Sequence, residues 1–345
     1  MGAAPEPGTR GGEAVLLVRR PSGLPVREDF AWETRTVGAP DEGEVLVRVT
    51  HLSIDPAMRG WMAATKSYIP AVEIGAVMRA AGVGVVEESR HPGFAKGDLA
   101  VGLLGLQEWA VLPGKTLIRS SPSLAVPPEV LVGGLGGTGL TAYFGLTDVG
   151  QATKGETVLV SAAAGAVGSV VGQVAKILGC RAVGLAGGPD KCRYVTEELG
   201  FDACIDYKAR GAELAKAVRE ACPDKVDVYF DNVGGDILEA ALANLSRGGR
   251  IVLCGAISQY NADQDKWRGP RNYMSLLVKR GRMQGFVLFD YQDRYAEGAV
   301  ALGQWWMEGR LRLDHTIVDG LHAFPEALDR LWSGDKRGKL ILRIG

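Results

Sequence analysis

Hydrophobic and polar positions along this chain change their rhythm once. Up to about residue 130, short apolar stretches alternate with polar positions at period two. EVLVRVT (Glu44–Thr50) alternates apolar and polar residues with period two, as a half-buried strand does. AGVGVVEES (Ala81–Ser89) and GDLAVGL (Gly97–Leu103) repeat it, with glycine and proline in between. Short strands at this spacing predict a compact, barrel-like β domain.

From about Leu135 the pattern becomes strand, helix, strand. TVLVSA is a continuous apolar strand and AVGSVVGQVAKILG a helix. RAVGLAG is the next strand, and DKCRYVTEELG a helix ended by Gly200. VDVYFDNV and GRIVLCGAI are two further buried strands, joined by a helix over GDILEAALANLSRGG. Apolar strands alternating with helices predict a parallel sheet covered on both faces. The end, FPEALDRLWSGDKRGKLILRIG, predicts helix, turn and strand.

Composition narrows the function class. A chain of 345 residues is long enough for two domains, and 46% hydrophobic and 23% charged residues is the composition of an ordinary globular protein. Its formal net charge of −1 offers no electrostatic footprint for nucleic acid or anionic lipid. Residues 1–12, rich in Gly, Pro and Ala without an apolar signal core, predict a flexible tail and no export. None of the five cysteines forms a C-x-x-C pair. They read as reduced thiols, small buried hydrophobes of a cytoplasmic protein.

Val158–Gly179 also has the apolar density of a membrane span, and Gly168-x-x-x-Gly172 mimics a membrane dimerisation motif. Against that, β-branched TVLV precedes a Gly/Ala turn, Lys176 interrupts the run, and a new strand follows at once. The stretch therefore predicts a strand running into a phosphate-holding turn. In AAAGAVG, Gly165 turns the chain and Gly168 lets the helix lie close to the sheet. Amide N–H groups opening the helix, with its dipole behind them, suit the pyrophosphate of a dinucleotide.

The tip of the second strand selects the dinucleotide. NAD sites place an acid there for the ribose 2′-hydroxyl. Here the strand ends on Ala186, Gly187 and Gly188, leaving room for a 2′-phosphate, with Lys191 and Arg193 as sources of positive charge. Asp190 reads as a helix cap. NADPH is the expected cofactor.

No metal is expected. The first 179 residues contain no Cys, and His51, His91, His315 and His322 show no ligand-like spacing. Developing negative charge must then be met by hydrogen-bond donors. Hydride addition to a C=C conjugated with a carbonyl gives a delocalised enolate, which one tyrosine hydroxyl or a ribose hydroxyl can hold. That tilts the expectation toward enone reduction.

LSIDPAMRG (Leu52–Gly60), GLTAYFGL (Gly139–Leu146), SAAAGAVGSVVGQVAK (Ser161–Lys176), LGFDACIDYK (Leu199–Lys208), YFDNVGG (Tyr229–Gly235) and CGAISQYN (Cys254–Asn261) carry a resemblance. Together they resemble the zinc-independent branch of the medium-chain dehydrogenase/reductase superfamily, in its leukotriene/prostaglandin, 2-alkenal and curcumin reductase group. The resemblance implies a Rossmann doubly wound parallel sheet over 135–305. It implies a GroES-like β-barrel from 13–134 and 306–345.

The resemblance also implies pyrophosphate contacts at Gly165, Ala166, Val167 and Gly168, and 2′-phosphate contacts at Lys191 and Tyr207. Asn232 and the loop of Cys254, Gly255, Ala256, Ile257, Ser258 and Tyr260 are implied along the ribose and nicotinamide. Phe286, Val287 and Leu288 are implied at the nicotinamide border. Tyr260 matches a family tyrosine that donates to the carbonyl oxygen or orients the ribose, and a phenol stays a neutral donor near pH 7. Met58 and Tyr68 are implied at the substrate. Ala57 departs from a common tyrosine, and Lys336 from a common cofactor-contacting asparagine, so that last contact is not carried over.

The expected activity is NADPH-dependent reduction of the C=C bond of α,β-unsaturated ketones or aldehydes, small electrophiles, by a homodimer. The rivals are a quinone reductase or metal-free alcohol dehydrogenase on the same scaffold, and a non-catalytic NADPH-binding protein.

Overall fold

Both rhythms fold into the kind of sheet they predict. The structure is a computed structural model and describes residues 9–65, 67–120, 125–262 and 267–345. It divides into two compact units, one of residues 1–132, 315–336 and 340–345, the other of residues 133–314 and 337–339.

In the first unit, β1 (Arg10–Leu17) pairs antiparallel with β2 (Phe30–Val37), Arg10 opposite Val37. A seven-stranded sheet contains β3 (Glu44–Ser53), β4 (Ala81–Ser89), β5 (Leu99–Leu103), β6 (Trp109–Pro113) and β7 (Ile118–Ser120). Strands His315–Asp319 and Lys339–Arg343 complete it beyond β3. The alternation in EVLVRVT turns Val45, Val47 and Val49 into a core shared with Met58, Met78 and Phe324. Of the expected tail, residues 1–8 lie outside the described residues. Residues 10–12 are not tail but the first part of β1, hydrogen-bonded to β2.

The second unit is built on six parallel strands in the order β10-β9-β8-β11-β12-β13. They are β8 (Thr157–Ser161), β9 (Arg181–Ala186), β10 (Ala203–Asp206), β11 (Val226–Asp231), β12 (Leu245–Leu253) and β13 (Arg282–Gly285). Successive residues of β8 feed opposite faces. Val158 and Val160 join one core with Val171 and Val174, whereas Leu159 joins the other with Leu185, Val218 and Leu242. Helices cover both faces, so the middle of β8 is continuously apolar rather than alternating. The order reverses between β8 and β11, the point where such sheets bind ligands at their carboxyl ends.

Three boundaries differ from expectation, each for a local reason. The helix over 235–249 stops at Ala243, because the Asn244 amide donates to Ala240 O (2.9 Å) and Ala215 O (2.8 Å) and closes its end. Leu245 is already in register with Val226 of β11. The helix over 190–200 is α-helical only over Pro189–Arg193 and widens to i→i+5 bonding over Tyr194–Glu198. Residues 306–314, expected with the barrel, pack with the parallel sheet instead. The Gln173 amide exchanges two hydrogen bonds with the backbone of Arg312 (3.0 and 2.7 Å), and Leu311 is buried in that unit's core.

Candidate cofactor and active site

The carboxyl end of β8 runs straight into the glycine turn. Ala162, its first residue, holds φ 51°, a left-handed conformation that a side chain disfavours and that concentrates at functional turns. The helix Ala166–Ile177 starts on Gly165 as N-cap, and its first bond is Ser169 N–H to Gly165 O at 2.9 Å. The amides of Ala166, Val167 and Gly168 come before that bond, in the turn for which an α-helix supplies no acceptors. A Cβ on Gly168 would stand 2.4 Å from Ala162 O, so only glycine lets helix and turn approach this closely. A late segment seals the turn, with Gly338 N–H donating to Ala164 O at 2.9 Å.

At the ends of β9 and β10 lies the expected adenosine side. A Cβ on Gly187 would meet Lys208 Cε at 2.9 Å and the Tyr207 hydroxyl at 3.1 Å, so both side chains lie over the bare strand tip. Asp206 Oδ1 accepts from Gly188 N–H (2.9 Å) and Lys208 N–H (3.1 Å), tying the two strand ends together. Lys208 was not anticipated from sequence, although it directly follows Tyr207. Asp190 does not cap the helix: Gly188 is its N-cap, and the Asp190 carboxylate pairs with Arg193. That pairing engages the charge expected of Arg193.

Next to β8, the end of β11 carries a buried carboxyl group that sequence reasoning passed over. Asp231 is 1% exposed. Its Oδ1 accepts from the Tyr229 hydroxyl (2.8 Å), Gly234 N–H (2.8 Å), Val233 N–H (3.0 Å) and the Ser161 hydroxyl (3.4 Å). Burial pushes this carboxyl above the usual carboxylate range, against those hydrogen bonds, and pushes the Tyr229 phenol well up. The carbonyl of Asp231 accepts from Cys254 N–H (2.9 Å) and Gly255 N–H (3.0 Å). One residue therefore pins both the turn after β11 and the loop after β12. Gly234 supports the turn with φ 72°.

Asn232 is held rather than extended: its N–H donates to the Ser161 hydroxyl and its side-chain amide to Ser161 O, both at 2.8 Å. The loop Cys254–Tyr260 is laced onto it through Ile257 N–H to Asn232 O (3.2 Å) and the Ser258 hydroxyl to Val233 O (2.6 Å). Tyr260 folds back over this loop. Its oxygen accepts from Ala256 N–H at 3.0 Å and would sit 2.8 Å from a Cβ on Gly255. A phenol accepts and donates at once, so this bond does not consume its proton. Phe286, just past β13, stands edge-on to Phe230 (6.5 Å between centroids), and Leu288 O accepts from the Tyr295 hydroxyl at 3.1 Å. Val287 caps the short helix that follows.

In the barrel unit Tyr68 is 57% exposed. Met58, expected at the substrate, has no exposed surface. The helix Ala57–Met62 turns it into the core beside Met62 and Met78, so it presents nothing to a substrate. Among the described residues, no group of three or more His, Cys, Asp or Glu is placed to hold a metal ion. The cysteines are less scattered than their spacing suggests: Cys192 and Cys204 bring their sulfurs to 3.1 Å.

Residues 13–120 match the family described as the N-terminal domain of oxidoreductase, and residues 166–305 that described as zinc-binding dehydrogenase. The NADPH-dependent curcumin reductase of Escherichia coli (strain K12) is 42% identical over 333 residues, 95% of this chain and 96% of that protein. The NADP(+)-dependent 2-alkenal reductase of Nicotiana tabacum is 38% identical over 335 residues, 96% of each chain. Among solved structures, CurA from Vibrio vulnificus in complex with NADPH superposes with a TM-score of 0.89 at 40% identity. The match covers 96% of this chain and 99% of that one.

Proposed function

The chain belongs to the zinc-independent medium-chain dehydrogenase/reductase family, in its alkenal and curcumin reductase group, and from that premise we propose an NADPH-dependent reductase of the C=C bond of α,β-unsaturated ketones and aldehydes. The observation that carries this is the joining, through Asp231, of the glycine turn's strand to the loop that presents Tyr260. Bound NADPH supplies the hydride. The residues fit it: the amides of Ala166, Val167 and Gly168 would receive the pyrophosphate, and Tyr207 and Lys208 lie over a strand tip bare enough for a 2′-phosphate, with Lys191 on the helix that follows.

Tyr260 then donates to the oxygen of the enolate formed from the substrate. The Ala256 N–H on its phenol oxygen favours negative charge there and so strengthens the O–H as a donor. Consumption of NADPH with an enone, a quinone and a plain aldehyde tests the substrate class. Turnover of the enone is expected; turnover of the quinone alone would overturn the assignment.

Lys191→Ala is expected to raise KM for NADPH about tenfold, the loss of one partly exposed charge-assisted contact, while KM for NADH stays within about twofold. Arg193 is engaged by Asp190. Equal effects on both cofactors would remove Lys191 from the 2′-phosphate.

The second unit's surface and thiols support a homodimer and a cytoplasmic setting. β13 stands at the sheet edge, and near it Tyr273, Met274, Leu277 and Val278 are 60%, 50%, 68% and 62% exposed. An open edge beside an apolar patch favours pairing with a second copy. Light scattering is expected to give twice the chain mass of 36.6 kDa; a single-chain mass would refute the dimer. The five free cysteines support a reducing, cytoplasmic setting. No helix among the described residues is long and apolar enough to cross a membrane.

A further inference from the structure

Two sulfurs meet beside the adenosine end without any part in hydride transfer. Cys192 follows Lys191 on the helix Pro189–Arg193, and Cys204 lies on β10, three residues before Tyr207. Both are half-buried. Their Sγ atoms stand 3.1 Å apart, about 1 Å longer than a disulfide bond. The other cysteines have different surroundings, Cys180 donating to Thr153 O and Cys222 lying buried.

We propose that Cys192 and Cys204 form a redox modification site, which hydrogen peroxide closes into a disulfide that weakens NADPH binding. The pair is asymmetric. Cys204 S–H donates to Cys192 Sγ, favouring the thiolate on Cys192 and opposing it on Cys204. Cys192 therefore attacks. Its thiolate takes one peroxide oxygen as the O–O bond breaks, giving a sulfenic acid and, with the proton gained, water. Cys204 sulfur then displaces the sulfenic hydroxyl, which leaves with the Cys204 proton as a second water. The two thiols lose two electrons and two protons, and the peroxide is reduced to two waters. Burial pushes both thiols up, so closure is slow at neutral pH and needs sustained peroxide.

The effect on the cofactor follows from what each partner carries, and for this part the inference rests on the NADPH assignment. Closing the gap draws the helix of Lys191 toward β10 by about 1 Å. β10 runs directly into Asp206, which holds Gly188 and Lys208 by their amides. A shift of that size at a charge-assisted phosphate site costs affinity.

The full chain, treated with hydrogen peroxide, is expected to fall from five free thiols to three. Peptide mapping should show a Cys192–Cys204 link. Its Kd for NADPH should rise about tenfold and return after dithiothreitol. Cys192→Ser and Cys204→Ser should each prevent both the link and the change in Kd. Absence of the link, a link with unchanged Kd, or the same Kd rise in either serine variant would each overturn the proposal. Failure of the reduced protein to bind NADPH overturns the cofactor assignment and the affinity half of this inference, while the peptide map judges the bond on its own.

Discussion

Alanine at position 231 is expected to lower the free energy of unfolding by about 2–4 kcal/mol. The substitution leaves the buried Tyr229 hydroxyl and the Val233 and Gly234 amides without the oxygen they share. Each orphaned donor costs about 1–3 kcal/mol. The total falls short of their sum because burial already penalises the charged carboxyl, and deletion relieves that penalty. Asp231→Asn keeps one acceptor oxygen without the charge and should lose less than half as much. KM for NADPH should rise with Asp231→Ala, since the turn that carries Asn232 loses the carboxylate oxygen on its Val233 and Gly234 amides. Urea unfolding of both variants beside the parent measures the first effect. An alanine variant as stable as the parent would show that Asp231 is not the hub of this end of the sheet.

Tyr260→Phe should lower kcat for an enone by roughly 10²-fold, the usual cost of one donor to a developing oxyanion. KM for NADPH should move by no more than about twofold, because the phenyl ring still packs above Gly255. The change also strips Ala256 N–H of its acceptor, which loosens the loop without removing any group proposed to hold the phosphates. Steady-state rates at saturating NADPH measure this. Undiminished kcat would transfer the role of donor to another hydroxyl, and a large rise in KM for NADPH alone would make Tyr260 a cofactor residue.

Much of the fold was legible because each sheet writes a different rhythm. Ala81–Ser89 matched its strand residue for residue, since one face of an antiparallel strand must be apolar. The glycine turn was legible because a strand, two spaced glycines and a helix have a single close-packed solution. Side-chain networks were not. Ser161 and Asp231 lie 70 residues apart and meet only because β8 and β11 are neighbours across the reversal in strand order. An acid directly after the buried run Val228–Phe230 was the available signal for Asp231. The Asp190–Arg193 pair looked like a cap and a free cation, as local spacing does not say which partner a charge chooses. Met58 failed for a related reason: which face of a six-residue helix turns inward is settled by the core beneath it.

The loop carrying Tyr260 begins with a cysteine whose thiol burial pushes up to about 12. At neutral pH only on the order of one such sulfur in 10⁵ is ionised, and conjugated carbonyl compounds alkylate the ionised form. Cys254 can thus accompany a reactive electrophile through many turnovers without being consumed by it. A catalyst of this kind is spared suicide inactivation by its own substrates.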